Sequence, residues 1–171
     1  MGSFNIRDGQ SEITGDFSQL EELIKGLKEP HSVDIGVFKD AKTPDGQSVA
    51  EYGAYNEFGS VSVPNRPPKR SFIRMPLEAK QGEIAAYAES HAREHIESGD
   101  IKAIFEDIGI AGQAKIQEAF DTGGFGTWTP DADSTVARKG SDAILIGGGM
   151  KDGVRITGGL LRKSVTYEVD R

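Results

Sequence analysis

Apolar positions recur along this chain with two different periods. In VDIGVF, Val33, Ile35 and Val37 alternate with Asp34 and Gly36. That is the period of a strand with one buried face. The C-terminal SVTYEV repeats it with Val165, Tyr167 and Val169. Elsewhere the period is helical. Phe17, Leu20, Leu23, Ile24 and Leu27 follow Asp16, a candidate N-cap, and stop before Pro30. MPLEAKQGEIAAYAESHAREHIES reads as one long helix over about residues 76–97, with Pro76 in its first turn. After Ser98-Gly99-Asp100 a second long helix follows, with an apolar stripe from Ile101 through Ile108, Gly112 and Ile116 to Phe120. The pattern predicts an α+β fold. A small antiparallel or mixed sheet holds the strands at 33–38 and 164–169, and two long helices pack against it.

The connecting stretches are less regular. VAEYGAYNEFG predicts a short helix ended by Gly59. VSVPNRPPKRSFIR cannot be a regular helix, because Pro64, Pro67 and Pro68 fix φ and remove donors. It reads as a stiff, extended connection carrying Arg66, Lys69, Arg70 and Arg74 with no acid among them. Guanidinium forks on a stiff segment suit the carboxylates of a partner. Residues 1–15 are polar and read as a flexible N-terminus, leaving 16–171 as a single domain. Residues 121–159 are rich in Gly, Thr, Ser and Asp. Within them STVARKG predicts a short helical element with Ser134 as its cap. Ile144–Ile146 and Val154–Ile156 flank GGGMKDG as the strands of a hairpin arm at about 143–157. GGLLRKS predicts a helical turn before the last strand.

Charge refines the picture. The net charge is −7, unevenly spread. Residues 1–65 carry 5 basic and 11 acidic side chains, whereas residues 137–171 carry 7 and 4. An acidic body argues against sequence-independent binding of nucleic acid, which works by neutralising phosphates. The uneven split suits contact between unlike faces of two subunits. There is no cysteine, so disulfides and thiolate metal sites are excluded. No apolar run approaches the ~20 residues of a membrane span, and MGSFNIRDGQ lacks the apolar stretch of a secretory signal.

The motifs with chemical promise are few. HAREH, residues 91–95, has the H-x-x-E-H spacing of one class of zinc enzymes. At ~100° per residue, however, His91 and His95 fall on the apolar stripe with Ile84 and Ala88, where packing histidines are ordinary. A third ligand would have to be Glu168, on the last strand. GGGMKDG lacks the lysine position and the following helix of a phosphate loop. There is no G-x-S-x-G and no thiol nucleophile. Trp128 in GTWTP is the single tryptophan, either a lid over the core or an anchor at an interface.

Four stretches, in order, resemble the neck or tail-completion proteins of tailed bacteriophages, also called minor tail or virion-morphogenesis proteins. They are VDIGVF; TPDGQSVAEYGAYNEFG; PNRPPKRSFIRMPLE; and TVARKGSD with TGGLLRKSVTYEV. Within them lie Asn56–Gly59, Arg66–Arg74, Thr135–Asp142 and Thr157–Ser164. The chain departs from the family in AILIGGGMKDGVRI, which intervenes between the last two motifs. The resemblance implies a non-enzymatic virion protein at the head–tail junction, made in the host cytoplasm, with no cofactor and no metal. Its implied partners are copies of itself in a ring, expected to be hexameric, and other neck and tail proteins. DNA would pass through the ring without sequence-specific binding. Candidate interface residues are Asn56, Phe58, Arg66, Arg70, Arg74, Trp128, Met150 and Arg162. Two other readings are kept: a small zinc-dependent hydrolase using His91, Glu94 and His95, and a monomeric regulatory module that binds one partner.

Overall fold

The computed structural model describes residues 3–7, 10–14, 18–59, 68–146, 149–151, 154–156 and 159–170. Its centre is a two-stranded antiparallel sheet of β3 (Ser32–Val37) and β6 (Val165–Asp170). Val33 faces Val169, Ile35 faces Tyr167 and Val37 faces Val165. Pairing the apolar sets of both strands on one face fixes this register, because a one-residue slip would turn them to solvent. The other face pairs Asp34 with Glu168 and Ser32 with Asp170.

The long helices cover the apolar face, as expected. α5 (Ile101–Thr122) lies directly on the sheet. Two glycines permit the close approach: the Tyr167 ring occupies the place of a Cβ at Gly109, and Ile35 Cδ1 that of a Cβ at Gly112. Asp100 caps α5 by accepting from the Ala103 N–H, and Gly123 ends it in the left-handed region. α4 (Gln81–Ser98) returns antiparallel along α5 after a turn at Gly99. The core joins Val49, Phe72, Ile116, Ala119, Phe120, Trp128, Leu145, Leu161 and Val165.

α1 (Ser18–Lys28) stops before Pro30, as expected, while its candidate cap Asp16 lies outside the described residues. α2 (Val49–Phe58) starts at Ser48, whose hydroxyl accepts from the Glu51 N–H, and ends at Gly59 with φ 72°.

Several expectations are corrected. The helix expected over 76–97 is two helices, α3 (Arg74–Ala79) and α4, broken at Lys80 with φ −113° and ψ 14°. α6 (Asp133–Lys139) begins after Ala132, so Ser134 lies inside it and not at its cap. Polar residues 3–7 and 10–14 form a hairpin, β1 (Ser3–Arg7) with β2 (Gln10–Thr14). The Gly-rich arm does contain a hairpin, but β4 (Gly149–Lys151) pairs with β5 (Val154–Ile156). Ile144–Ile146 is not its first strand, because Leu145 turns into the core with φ 59° and 7% exposure. In both hairpins the two residues between the strands are Asp-Gly, at 8–9 and 152–153. That dipeptide is the strongest short-range hairpin signal. α7 (Leu160–Lys163) then leads into β6.

Candidate functional site

The densest polar construction sits where α2 meets the start of α3. Glu57, in the last turn of α2, is 6% exposed. Its Oε1 accepts from Ser71 Oγ at 2.6 Å and the Arg74 N–H at 3.2 Å. Its Oε2 accepts from the Phe72 N–H at 2.6 Å and the Ile73 N–H at 2.9 Å. The first turn of a helix presents N–H groups without intrahelical partners and the positive end of its dipole. α3 has no side-chain cap of its own. Glu57 supplies one from another element and thereby locks α2 onto α3. Beside it Asn56, 1% exposed, accepts from the Arg70 N–H at 2.7 Å through its carbonyl and donates its amide to the Tyr52 carbonyl.

Arg70 extends the lock to the loop before α6. Its guanidinium donates to the Thr129 and Pro130 carbonyls at 2.8 and 3.0 Å and pairs with Asp131 at 2.9 Å. Asp131 also holds Lys139 at 2.6 Å, and Lys139 donates to the Ala143 carbonyl. Arg70 is 4% exposed, so it is committed to its own chain and is not a docking cation. The connection is without acids only locally: the acid comes from 61 positions further along. Trp128, 6% exposed, is a lid over the core. Its Nε1 donates to the Ser71 carbonyl at 3.2 Å, and its ring meets Phe120 edge-on with centroids 5.6 Å apart.

The other interface candidates separate. Arg162 holds Asp121 through both terminal nitrogens, at 2.6 and 2.7 Å, and Gln117 through Nε at 2.7 Å. Arg66 lies outside the described residues. Met150 is in β4, and its side chain is not among those described. Phe58 is 66% exposed, and the Arg74 side chain, among the described residues, makes a long 3.9 Å contact with Glu78. Both border one groove of about 280 Å³, lined also by Val37, Ala50, Ala54 and Phe72. Tyr52 and Tyr55 of the same helix are 49% and 38% exposed.

HAREH is organised by the helical hairpin. His95 Nε2 lies 2.9 Å from Asp107 Oδ2, and His91 Nδ1 lies 3.6 Å from the same oxygen and 3.0 Å from the Tyr87 carbonyl. Antiparallel α4 and α5 place position 95 opposite 107, so the carboxylate that the histidines find is Asp107. Glu94 is exposed, and Glu168 pairs across the sheet with Asp34. Among the described residues no three His, Cys, Asp or Glu are grouped to hold a metal ion. GGGMKDG contains β4 and does not lead into a helix.

No family model matches the chain, nor does any curated protein or solved structure. Among the described residues, no helix is long and apolar enough to cross a membrane. The residues that build the lock but were not singled out by sequence are Glu57, Asp131 and Lys139. Glu57 and Lys139 carry a signal in their position within NEFG and the K-G-S-D run, whereas Asp131, between GTWTP and TVARKGSD, carries none.

Proposed function

We propose that this chain is a structural subunit of the head–tail connector of a tailed bacteriophage, part of a neck or tail-end ring that joins tail to capsid. One observation carries the reading. The stretches that resemble the family, far apart in sequence, interlock as one unit. Glu57 of NEFG holds the Ser71–Arg74 turn of the proline-arginine segment. Arg70 of that segment holds Asp131, which holds Lys139 of TVARKGSD. Leu161 of the TGGLLRKS motif lies 3.1 Å from where a Cβ would stand on Gly53 of α2, so both are closely packed. Their sharing of one buried network supports the reading. The groove beside Phe58 supplies an unpartnered apolar face of the kind that subunit contacts use.

Native mass spectrometry and negative-stain microscopy of the full chain test the reading. The expected result is a closed ring, of about six copies of 18.4 kDa, that binds phage tail ends in vitro. A particle that stays monomeric at tens of micromolar and ignores tails and capsids would sink it. The zinc-hydrolase alternative has no specific observation in its favour: Glu168 is exposed on the sheet face that carries Asp34, opposite the apolar face, and the carboxylate beside His91 and His95 is Asp107.

A further inference from the structure

We infer that the exposed face of α2 pairs with the same face of a second copy of this chain, the two helices crossing antiparallel about a two-fold axis. The inference stands apart from the ring reading, because a two-fold pair neither closes a ring nor prevents one. The order of small and large side chains is the first reason. Ala50, Ala54 and Phe58 are four residues apart and form one ridge of the helix, the kind that packs between the ridges of a neighbouring helix. All three line the groove of about 280 Å³. The ridge is low at its N-terminal end and tall at its C-terminal end, where Phe58 is 66% exposed. A parallel partner would set ring against ring and alanine against alanine. An antiparallel partner centred on position 54 instead sets Phe58 of each copy over Ala50 of the other. Tyr55, 38% exposed, then lies beside the axis. A small molecule fits less well: the volume is below the range of most ligand pockets, and the carboxylate in the wall, Glu57, already takes four donors from its own chain.

Charge follows the same order. Glu51, in the first turn of α2, is exposed, and its Oε1 accepts from the Tyr55 hydroxyl at 3.4 Å. Arg74 stands at the other end of the helix, where its backbone N–H donates to Glu57. Its side chain is 56% exposed, with the Glu78 carboxylate 3.9 Å away. Glu51 and Glu57 are separated by about 9 Å of helix at 1.5 Å per residue. An antiparallel partner exchanges the two ends. It brings Glu51 of each copy to Arg74 of the other, so the ion pair forms twice in one dimer. Glu57 takes no part in this pairing. Exposed Lys69, beside Gly59, and exposed Glu78 add one further charge of each sign. The exposed charges of this face therefore balance, although the whole chain carries −7. Copies that repel elsewhere do not repel here.

The chain has no cysteine, so an introduced thiol reports on one position only. Ala54→Cys in the full-length protein, oxidised mildly, should give a single covalent dimer, because the two-fold axis brings position 54 to its own copy. Glu89→Cys, exposed on α4, should give none. Charge reversal gives the sharper readout. In sedimentation velocity at low salt, Glu51→Arg and Arg74→Glu should each weaken the dimer at least about tenfold. An equimolar mixture of the two should recover it, since each copy then meets the opposite sign at both ends. Should a reversed variant unfold, the Ala54→Cys disulfide decides alone. A mixture of folded variants that associates no better than either one would overturn the inference. So would a wild-type dimer whose Ala54→Cys variant forms no disulfide. A chain that stays monomeric at high micromolar concentration would also overturn it and leave the groove to a different polypeptide. Rings that form without the disulfide would overturn the inference and leave the ring reading standing. Disulfide-linked dimers that never form rings would support the pairing and overturn the ring reading instead.

Discussion

Replacing Glu57 by glutamine tests the lock at its centre with almost no change of shape. The carboxylate accepts four hydrogen bonds between 2.6 and 3.2 Å, three of them from backbone N–H groups at the start of α3. Hydrogen bonds to a charged group contribute about 1.5–3 kcal/mol each when singly removed. They are not additive, and glutamine keeps one accepting oxygen. Its amide group, however, turns N–H against N–H toward two of the four donors. The expected cost is therefore about 3–5 kcal/mol, the range seen when one partner of a buried charged pair is removed. Against a total stability of about 5–15 kcal/mol that is a large fraction. At an m-value of about 2 kcal/mol/M the urea midpoint should fall by roughly 2 M. Trp128 reports the change directly, because its indole donates to the Ser71 carbonyl next to the Glu57 bonds. Fluorescence and circular dichroism should move together if unfolding is two-state. Glu51→Gln, on the exposed side of the same helix, is the control and should shift stability by less than about 0.5 kcal/mol. A Glu57→Gln midpoint within the scatter of the wild type, at unchanged slope, would show that the carboxylate does not hold α3.

Three further outcomes follow from other contacts. Arg70→Glu should unfold the subunit or cost about 3–5 kcal/mol in a urea titration, because it sets a carboxylate against Asp131 and two carbonyls; a folded Arg70→Glu subunit that merely fails to assemble would return Arg70 to the interface. Gly109→Ala should lose about 1–3 kcal/mol through the clash with Tyr167, whereas Gly82→Ala, with nothing within 4 Å, should gain up to about 1 kcal/mol; equal shifts in thermal melts would refute the packing account. The Glu83 carboxyl is lowered from its ordinary 4.5 to about 2 by its hydrogen bonds to Lys115 and then Lys80. A folded value below the unfolded one means stability present above about pH 4.5 and lost as pH falls toward 2. Glu83→Gln should flatten that acid limb at low salt and have little effect at high salt; an unchanged limb at low salt would refute it.

What the sequence made legible were the features set by period. β3 and β6 share one sheet because each strand has a single apolar face, and the register that joins Ile35 to Tyr167 buries both faces together. α5 was readable from its stripe. The break at Lys80 was not readable, since the helical pattern runs through it; α3 is set off by a cap that comes from Glu57 in another element. Both hairpins carry an Asp-Gly between their strands, but the apolar run Ile144–Ile146 reads as a strand because hydrophobicity does not tell a strand from a core-filling turn.

Charged side chains were the least legible, for a physical reason that also locates the site. A cation takes the acid that the fold brings to it, and sequence neighbours say little about which acid that is. Arg70 found Asp131, His95 found Asp107, and Arg162 found Asp121, each across a tertiary contact. A residue so engaged is expensive to recruit again, because a partner must first match the bonds it already makes. Burial removes others in the same way: Asn56 and Trp128 are 1% and 6% exposed. Of the interface candidates with described side chains, only Phe58 and Arg74 then remain available on the surface, and the same groove touches both. The folded chain thus withdraws most of its conspicuous residues from service and leaves an apolar face beside α2, where hydrophobic area around an already satisfied carboxylate favours the surface of another polypeptide over a small ligand.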